Sequence, residues 1–75
     1  MTVTQCKMAR AGLGWSAADL AERAGLTRET VARFEAGAKL SDASIAVLRQ
    51  VLEDAGADFL QISGGKVGVA VPSAD

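Results

Sequence analysis

The side chains that could do chemistry lie close together, near the start of one short helical segment. They are Thr27, Arg28, Glu29, Thr30 and Arg33. These residues offer charged groups and hydroxyls as donors and acceptors for hydrogen bonds. Elsewhere the sequence has no His, no Tyr and one cysteine, and no nucleophile stands beside a general base. The pattern therefore predicts recognition by hydrogen bonding, and no enzymatic activity, cofactor or metal site is expected.

One helix is predicted just before this segment, over residues 16–24. Ser16 is placed to cap the helix because its hydroxyl can accept a backbone N–H, and Asp19 favours the same end through the helix dipole. Gly25 then supplies the left-handed residue that ends the helix. The chain is therefore expected to turn at Gly25 and enter a second helix almost at once.

The second helix is predicted over residues 27–36. Thr27 caps its start, and Gly37 ends it. Val31 and Phe34 are three residues apart and give it an apolar face. Two helices of this length, joined by a turn of about three or four residues that contains Gly, cross steeply. That arrangement lets the second helix lie in the major groove of DNA.

This segment resembles the helix-turn-helix of Cro and phage-repressor type (Xre-like) bacterial transcriptional regulators. The resemblance covers roughly residues 4–55, and each matching position has a steric or backbone reason. The matching positions are Leu20, Ala21, Gly25, Val31 and the run Phe34-Glu35-Ala36-Gly37. The resemblance implies that the second helix recognises double-stranded DNA.

Two more helices are predicted, one on each side of this pair. The first begins at Thr2 or Thr4, and the last begins at Ser41 or Asp42 and runs to Gly56. Cys6 is expected to be buried, because cysteine often behaves as a small apolar residue. The four helices are expected to bury one core made of Leu13, Trp15, Leu20, Ala21, Ala24, Leu26, Val31, Phe34, Ile45, Leu48, Leu52 and Phe59, with Cys6 on the inward stripe of the first helix.

Residues 57–75 depart from the helical pattern. Val67, Val69 and Val71 alternate with other residues, which is the period of a strand, and Ser63-Gly64-Gly65 is typical of a turn. A lone two-stranded hairpin leaves open edges. The tail is therefore expected to pair with its copy in a second subunit as a two-fold dimer. Alternatively, it folds back on the last helix or is partly disordered.

The predicted fold class is all-α, a four-helix helix-turn-helix domain with a short C-terminal β-hairpin or strand pair. Residues 1–56 would form the DNA-binding domain, and residues 57–75 the β tail that serves for dimerisation. A single cysteine excludes an internal disulfide. The sequence shows no signal peptide and no apolar run of the ~18 residues that span a bilayer. A cytoplasmic location without membrane contact is therefore expected.

The formal net charge of −1 does not suggest a nucleic-acid binder, but the charge is unevenly distributed. Counted along the sequence, residues 1–41 carry +2 and residues 42–75 carry −3. Such an asymmetry is typical of a chain with one end facing DNA and the other facing protein, although +2 is a small excess.

The resemblance implies that side chains near the start of the second helix contact base edges. Arg28 or Arg33 would form bidentate hydrogen bonds with guanine. Glu29 would accept from the amino group of cytosine, and the methyl group of Thr30 would meet thymine. Two structural alternatives stay open. Glu29 is also favoured by the helix dipole, and Arg33 could simply pair with Glu29 one turn away.

Phosphate contacts are expected from exposed backbone N–H groups at the start of the helix that Ser16 caps, from a hydroxyl at the start of the second helix, and from two lysines. The candidates are Lys7, Ser16, Ala17, Thr27 and Lys39. Many relatives carry Gln where this chain has Ala17, and several basic residues where it has only Lys39. Weak binding by a single subunit is therefore expected.

Arg10 and Glu35 match positions that form an ion pair in the phage repressors. The resemblance implies that this pair ties the first helix to the end of the recognition helix. Both residues are therefore expected to be structural, with only a secondary share for Arg10 in phosphate contact.

The expected function is sequence-specific binding of double-stranded DNA by a homodimeric transcriptional regulator. Repression is expected because the chain has no room for a separate activation or ligand domain. The alternative is a protein-interaction module, such as an antitoxin or accessory subunit, whose tail binds a protein partner while DNA binding is weak or lost. The low basic charge and Ala17 favour the alternative, whereas Arg28 and Arg33 favour the regulator.

Overall fold

The computed structural model describes residues 1–73 and contains four helices followed by two antiparallel strands. The elements are α1 (Val3–Gly12), α2 (Ala17–Ala24), α3 (Arg28–Glu35), α4 (Asp42–Asp54), β1 (Asp58–Ile62) and β2 (Lys66–Ala70). The predicted helices and strand pair are therefore present. Because the two strands form a sheet, the fold is mostly helical rather than all-α.

A hydroxyl side chain caps the start of every helix in this part of the chain. In each case the hydroxyl oxygen accepts the backbone N–H three residues further on, as the cap positions of the sequence indicate. Of the alternatives that the sequence left open, the cap is Thr2 rather than Thr4 and Ser41 rather than Asp42. The four caps are Thr2, Ser16, Thr27 and Ser41.

The buried apolar side chains form one cluster, to which every helix contributes. Its members are Cys6, Ala9, Leu20, Ala21, Val31, Phe34, Leu48, Leu52 and Ala57. Half of the predicted core residues belong to this cluster. The others are half-buried and pack against it; they are Leu13, Trp15, Ala24, Leu26, Ile45 and Phe59. Ala57, which was not predicted, brings the start of the tail into the same core.

The hairpin lies mainly against α1. β1 and β2 pair in a register that sets Leu60 opposite Gly68. The buried side chain of Gln5 in α1 donates from Nε2 to the carbonyl oxygens of Leu60 (3.1 Å) and Gly68 (3.2 Å). The sequence suggested that a tail folding back would cover the last helix. The structure instead places it on α1, where the buried amide of Gln5 finds two carbonyl acceptors in the sheet.

Two glycines let the segment after β2 lie close to the helices. A Cβ on Gly12 would lie 2.7 Å from Cγ2 of Val71, and a Cβ on Gly56 would lie 2.6 Å from Cγ of Pro72. Gly12 lowers helix propensity by about 1 kcal/mol relative to Ala. Its lack of a side chain is what allows Val71 to pack on the end of α1.

Candidate nucleic-acid interface

The turn between α2 and α3 fixes where α3 begins. Gly25 has a φ of 68°, and Leu26 donates its N–H to the carbonyl oxygen of Ala21 at 2.9 Å. A side chain at Gly25 would be strained in this left-handed conformation. Leu26 packs half-buried against the core, and Thr27 then caps the start of α3. The backbone conformation of Gly25 and the apolar packing of Leu26 therefore hold the turn in place.

α3 is buried along one side only. The inward residues are Val31, Phe34 and Glu35, and the exposed ones include Arg28, Glu29 and Arg33. Within residues 1–73, the side chains of these three exposed residues take part in no ion pair and no hydrogen bond. The alternative pairing of Arg33 with Glu29 is therefore absent. One side of α3 presents two guanidinium groups and a carboxylate to solvent.

Thr27 and Thr30 are joined at the start of α3. Their hydroxyl oxygens are 2.8 Å apart, and Oγ1 of Thr27 also accepts the backbone N–H of Thr30 at 3.2 Å. Thr27 is exposed and Thr30 is half-buried. Since one hydrogen bond between two hydroxyls uses only one of their protons, the other proton is available to an acceptor outside the protein.

The start of α2 offers fewer groups to a phosphate than its cap position suggested. Oγ of Ser16 accepts the N–H of Asp19 at 3.0 Å, and Oδ2 of Asp19 accepts the N–H of Ser16 at 2.8 Å. This bond from the Ser16 backbone holds the pKa of Asp19 below its ordinary value. In the described chain, the N–H groups of Ala17 and Ala18 have no acceptor. A phosphate at this end would therefore bind beside a charged carboxylate.

The two candidate lysines are exposed and form no ion pair within residues 1–73. Lys39 lies in the loop after α3, which is held by a hydrogen bond of 2.9 Å from the N–H of Ala38 to the carbonyl oxygen of Arg33. Lys7 lies on α1, and no hydrogen bond or ion pair in this range links it to the other candidates. Lys39 therefore lies in the loop that directly follows α3, whereas Lys7 lies on a separate helix.

The ion pair expected between Arg10 and Glu35 is present and bidentate. Nε of Arg10 lies 2.8 Å from Oε2 of Glu35, and Nη2 lies 2.9 Å from Oε1. Nη1 donates to the carbonyl oxygen of Trp15 at 3.0 Å. The hydrogen bonds to Glu35 raise the pKa of Arg10. The pair therefore joins α1 to the last residue of α3, with most donors of Arg10 already engaged inside the protein.

The thiol of Cys6 lies beside this pair. Its Sγ atom is 3.7 Å from Oε2 of Glu35, and burial, followed by the charge of Glu35, raises the pKa of Cys6 to about 12. At neutral pH the thiol is therefore a protonated donor and not a nucleophile. Residues 1–73 contain no group of three His, Cys, Asp or Glu that could hold a metal ion. No helix in the same range is long and apolar enough to cross a membrane.

Two polar contacts in this architecture were not predicted from the sequence. The first is Gln5, although Thr2 followed three residues later by Gln is a capping-box pattern. Indeed, Oε1 of Gln5 accepts the N–H of Thr2 at 3.0 Å. The second is Arg23, whose guanidinium lies 4.2 Å from the ring centre of Trp15. A cation over an aromatic face leaves no local sequence signal, since the two residues belong to different elements.

Comparison with known families agrees with this geometry. The helix-turn-helix family model HTH_3 matches residues 7–59, which include α2, the turn, α3 and α4. No curated protein matches the chain. The matched region is more than half of the chain and contains both helices of the motif. The chain therefore belongs to the helix-turn-helix family of the Cro and phage-repressor type, typical of Xre-like regulators, and is a DNA-binding protein.

Proposed function

We propose that this protein is a sequence-specific transcriptional regulator that reads double-stranded DNA with α3 in the major groove and represses as a homodimer. The observation that carries the proposal is the two-sided nature of α3. Its inner side is fixed in the core, whereas Arg28, Glu29 and Arg33 are exposed and have no partner within residues 1–73. A rigid helix with free charged groups at its start suits direct contact with base edges.

Each exposed group of α3 has a matching base. The forks of Arg28 and Arg33 fit O6 and N7 of guanine, and the carboxylate of Glu29 accepts from N4 of cytosine. Thr30 brings its methyl group toward thymine, because its hydroxyl is hydrogen-bonded to Thr27 at 2.8 Å. The four side chains thus read neighbouring base pairs from a single helix.

Phosphate contacts orient the protein on the duplex. They come from the hydroxyl proton that the Thr27 and Thr30 pair leaves unused, the free backbone N–H of Ala17, and the cations Lys7 and Lys39. Ser16 contributes by fixing the start of α2. These contacts are few, and the protein carries a net charge of −1, so a single subunit is expected to bind DNA weakly. A second subunit on a two-fold operator offsets the weak binding of one subunit, since the second contact forms at high effective concentration.

Selection from random duplex DNA at low salt tests this proposal. The expected product is an inverted repeat whose half-sites lie about one helical turn apart. Recovery of no preferred sequence would favour the alternative function, a protein-interaction module such as an antitoxin or accessory subunit. The observation that favours this alternative is the exposure of Leu60 and Ile62 in the hairpin. Repression is then tested separately, with a reporter gene placed behind the selected site.

Arg28→Ala is expected to weaken binding to the selected operator roughly 5- to 150-fold, the value of one bidentate contact with guanine, and to weaken binding to random DNA far less. Arg28→Lys is the matched control because it keeps the charge but loses the planar fork. It should retain binding to random DNA and still lose discrimination. Fluorescence anisotropy at one salt concentration measures the affinity of each variant for the operator and for random duplex DNA. Equal losses on the two duplexes would assign Arg28 to the phosphate backbone instead.

A further inference from the structure

The outer face of the hairpin is apolar and open. Side chains alternate between the two faces of a strand. Phe59 and Val69, which stand opposite each other, pack against the core. Leu60 and Ile62 therefore lie on the other face, where they are 44% and 52% exposed. β1 is the more exposed strand, since Gln61 is exposed as well.

The hydrogen bonds of Gln5 reveal which backbone groups of β1 are free. A single nitrogen, Nε2, reaches the carbonyl oxygens of both Leu60 and Gly68. Both carbonyls must therefore point into the seam between the strands. In an antiparallel pair the orientation alternates along each strand, so Phe59 and Gln61 direct their N–H and C=O groups to the outer edge of β1. Within residues 1–73 these edge groups have no hydrogen-bond partner.

We propose that β1 pairs antiparallel with β1 of a second copy of this chain, with Leu60 opposite Leu60 on a two-fold axis. This pairing presupposes the homodimer proposed above and assigns its contact surface. The outward-facing groups must meet outward-facing groups, and an axis at Leu60 is the register in which Phe59 and Gln61 of each copy all find partners within β1. Phe59 then lies opposite Gln61 of the second copy, and the two exchange both backbone hydrogen bonds on each side of the axis. The result is a four-stranded sheet in which the two Leu60 side chains are neighbours and each Ile62 lies opposite Asp58 of the other copy.

The charges of the hairpin favour a second copy as the occupant. Asp58 stands at one end of the outer face and Lys66 at the other, and neither has an ion pair within residues 1–73. Antiparallel pairing sets Asp58 opposite Ile62 of the copy, whose cross-strand neighbour is Lys66. The acidic end of each hairpin thus lies beside the basic end of the other, at both ends of the sheet. Pairing also covers the open edge and gives a sheet of more than two strands.

Disulfide trapping tests the register. In a Cys6→Ala background, Leu60→Cys is expected to form a disulfide-linked dimer under mild oxidation. Residues opposite each other at such a position have Cα atoms about 4.5 Å apart, within the range of about 4.4–6.8 Å that a disulfide spans. Ile62→Cys is the matched control on the same face. Its own copy would lie about 13 Å away, so it should not cross-link to itself. Equal cross-linking of the two variants would overturn the register.

Sedimentation equilibrium tests the surface without a new cysteine. Asp58→Lys is expected to raise the dimer dissociation constant at least roughly tenfold, and Asp58→Lys with Lys66→Asp should restore it. A clean 7.7 kDa species at micromolar concentration would overturn the pairing. A dimer that Leu60→Cys does not cross-link and that Asp58→Lys does not weaken would also overturn it, and would indicate another surface or another occupant. None of these results alters the reading of DNA by α3, which the selected operator tests independently.

Discussion

Replacing Arg10 with methionine is expected to lower the free energy of unfolding by about 3 kcal/mol, because it leaves a buried carboxylate without its cation. The side chain of Glu35 is 9% exposed and that of Arg10 is 24% exposed, and two short hydrogen bonds join them. A domain of this size has a total stability of only about 5 kcal/mol or somewhat more. The Arg10→Met protein should therefore be close to unfolded at 37 °C. Urea denaturation followed by the fluorescence of Trp15 measures the loss.

Two further variants show whether the loss comes from the buried charge. Glu53→Gln removes the exposed pair with Arg49, whose side chains are 46% and 41% exposed, and should cost less than about 0.5 kcal/mol. In an Arg10→Met background, Glu35→Leu should recover much of the lost stability, since replacing both partners by apolar groups avoids an unpaired charge. An Arg10→Met protein as stable as Glu53→Gln would show that water already screens Glu35 in the folded state.

The helix-turn-helix could be predicted because its signals are local. Thr27 caps its own helix, Gly25 takes the left-handed conformation that only glycine adopts without strain, and Val31 and Phe34 show the period of a helix. Each of these features depends on a few neighbouring residues. The Arg10 and Glu35 pair is different, since the partners are far apart in the chain. It was expected from the family resemblance and not from spacing.

The position of the hairpin against α1 could not be predicted, because the contacts that fix this position are long-range. Gln5 is a polar residue in a helix with an apolar stripe, and only the arrival of β1 and β2 gives its amide two acceptors. Likewise, the sequence alone indicates only that Gly12 destabilises α1. The structure shows that Val71 packs where a side chain on Gly12 would lie. Alternation of valines predicts a strand, but it contains no information about which helix the strand will cover.

In the candidate site, too, the features that depend on neighbouring residues could be predicted, and those that depend on distant partners could not. Exposure of Arg28 and Arg33 follows from helix periodicity once Val31 and Phe34 are assigned to the core. The engagement of Ser16 by Asp19 also has a local pattern, the capping box. Which base each side chain meets depends on the register of the duplex against α3, a property of the complex that no single chain encodes.

Above pH 9 the protein is expected to lose stability through a single buried thiol. Burial raises the pKa of Cys6 from 9.0 to about 12 in the folded state. Below pH 9 the thiol is protonated in both the folded and the unfolded chain, so it contributes no pH dependence. Between pH 9 and 12 the unfolded chain releases this proton and the folded chain does not. The free energy of unfolding should therefore fall by up to about 1.4 kcal/mol per pH unit.

Cys6→Ala isolates this effect, because the sequence has no Tyr or His to titrate in the same range. The lysines Lys7, Lys39 and Lys66 are exposed and form no ion pairs within residues 1–73. At pH 7 the variant should be about 1 kcal/mol less stable than the parent, since the smaller side chain leaves a void. At pH 11 the order should reverse, because only the parent exposes an ionising thiol on unfolding. Urea denaturation of both proteins at pH 7, 9, 10 and 11 would show the two stability curves crossing. Parallel curves would mean that solvent reaches Cys6 without unfolding, and that the thiol ionises in the folded protein.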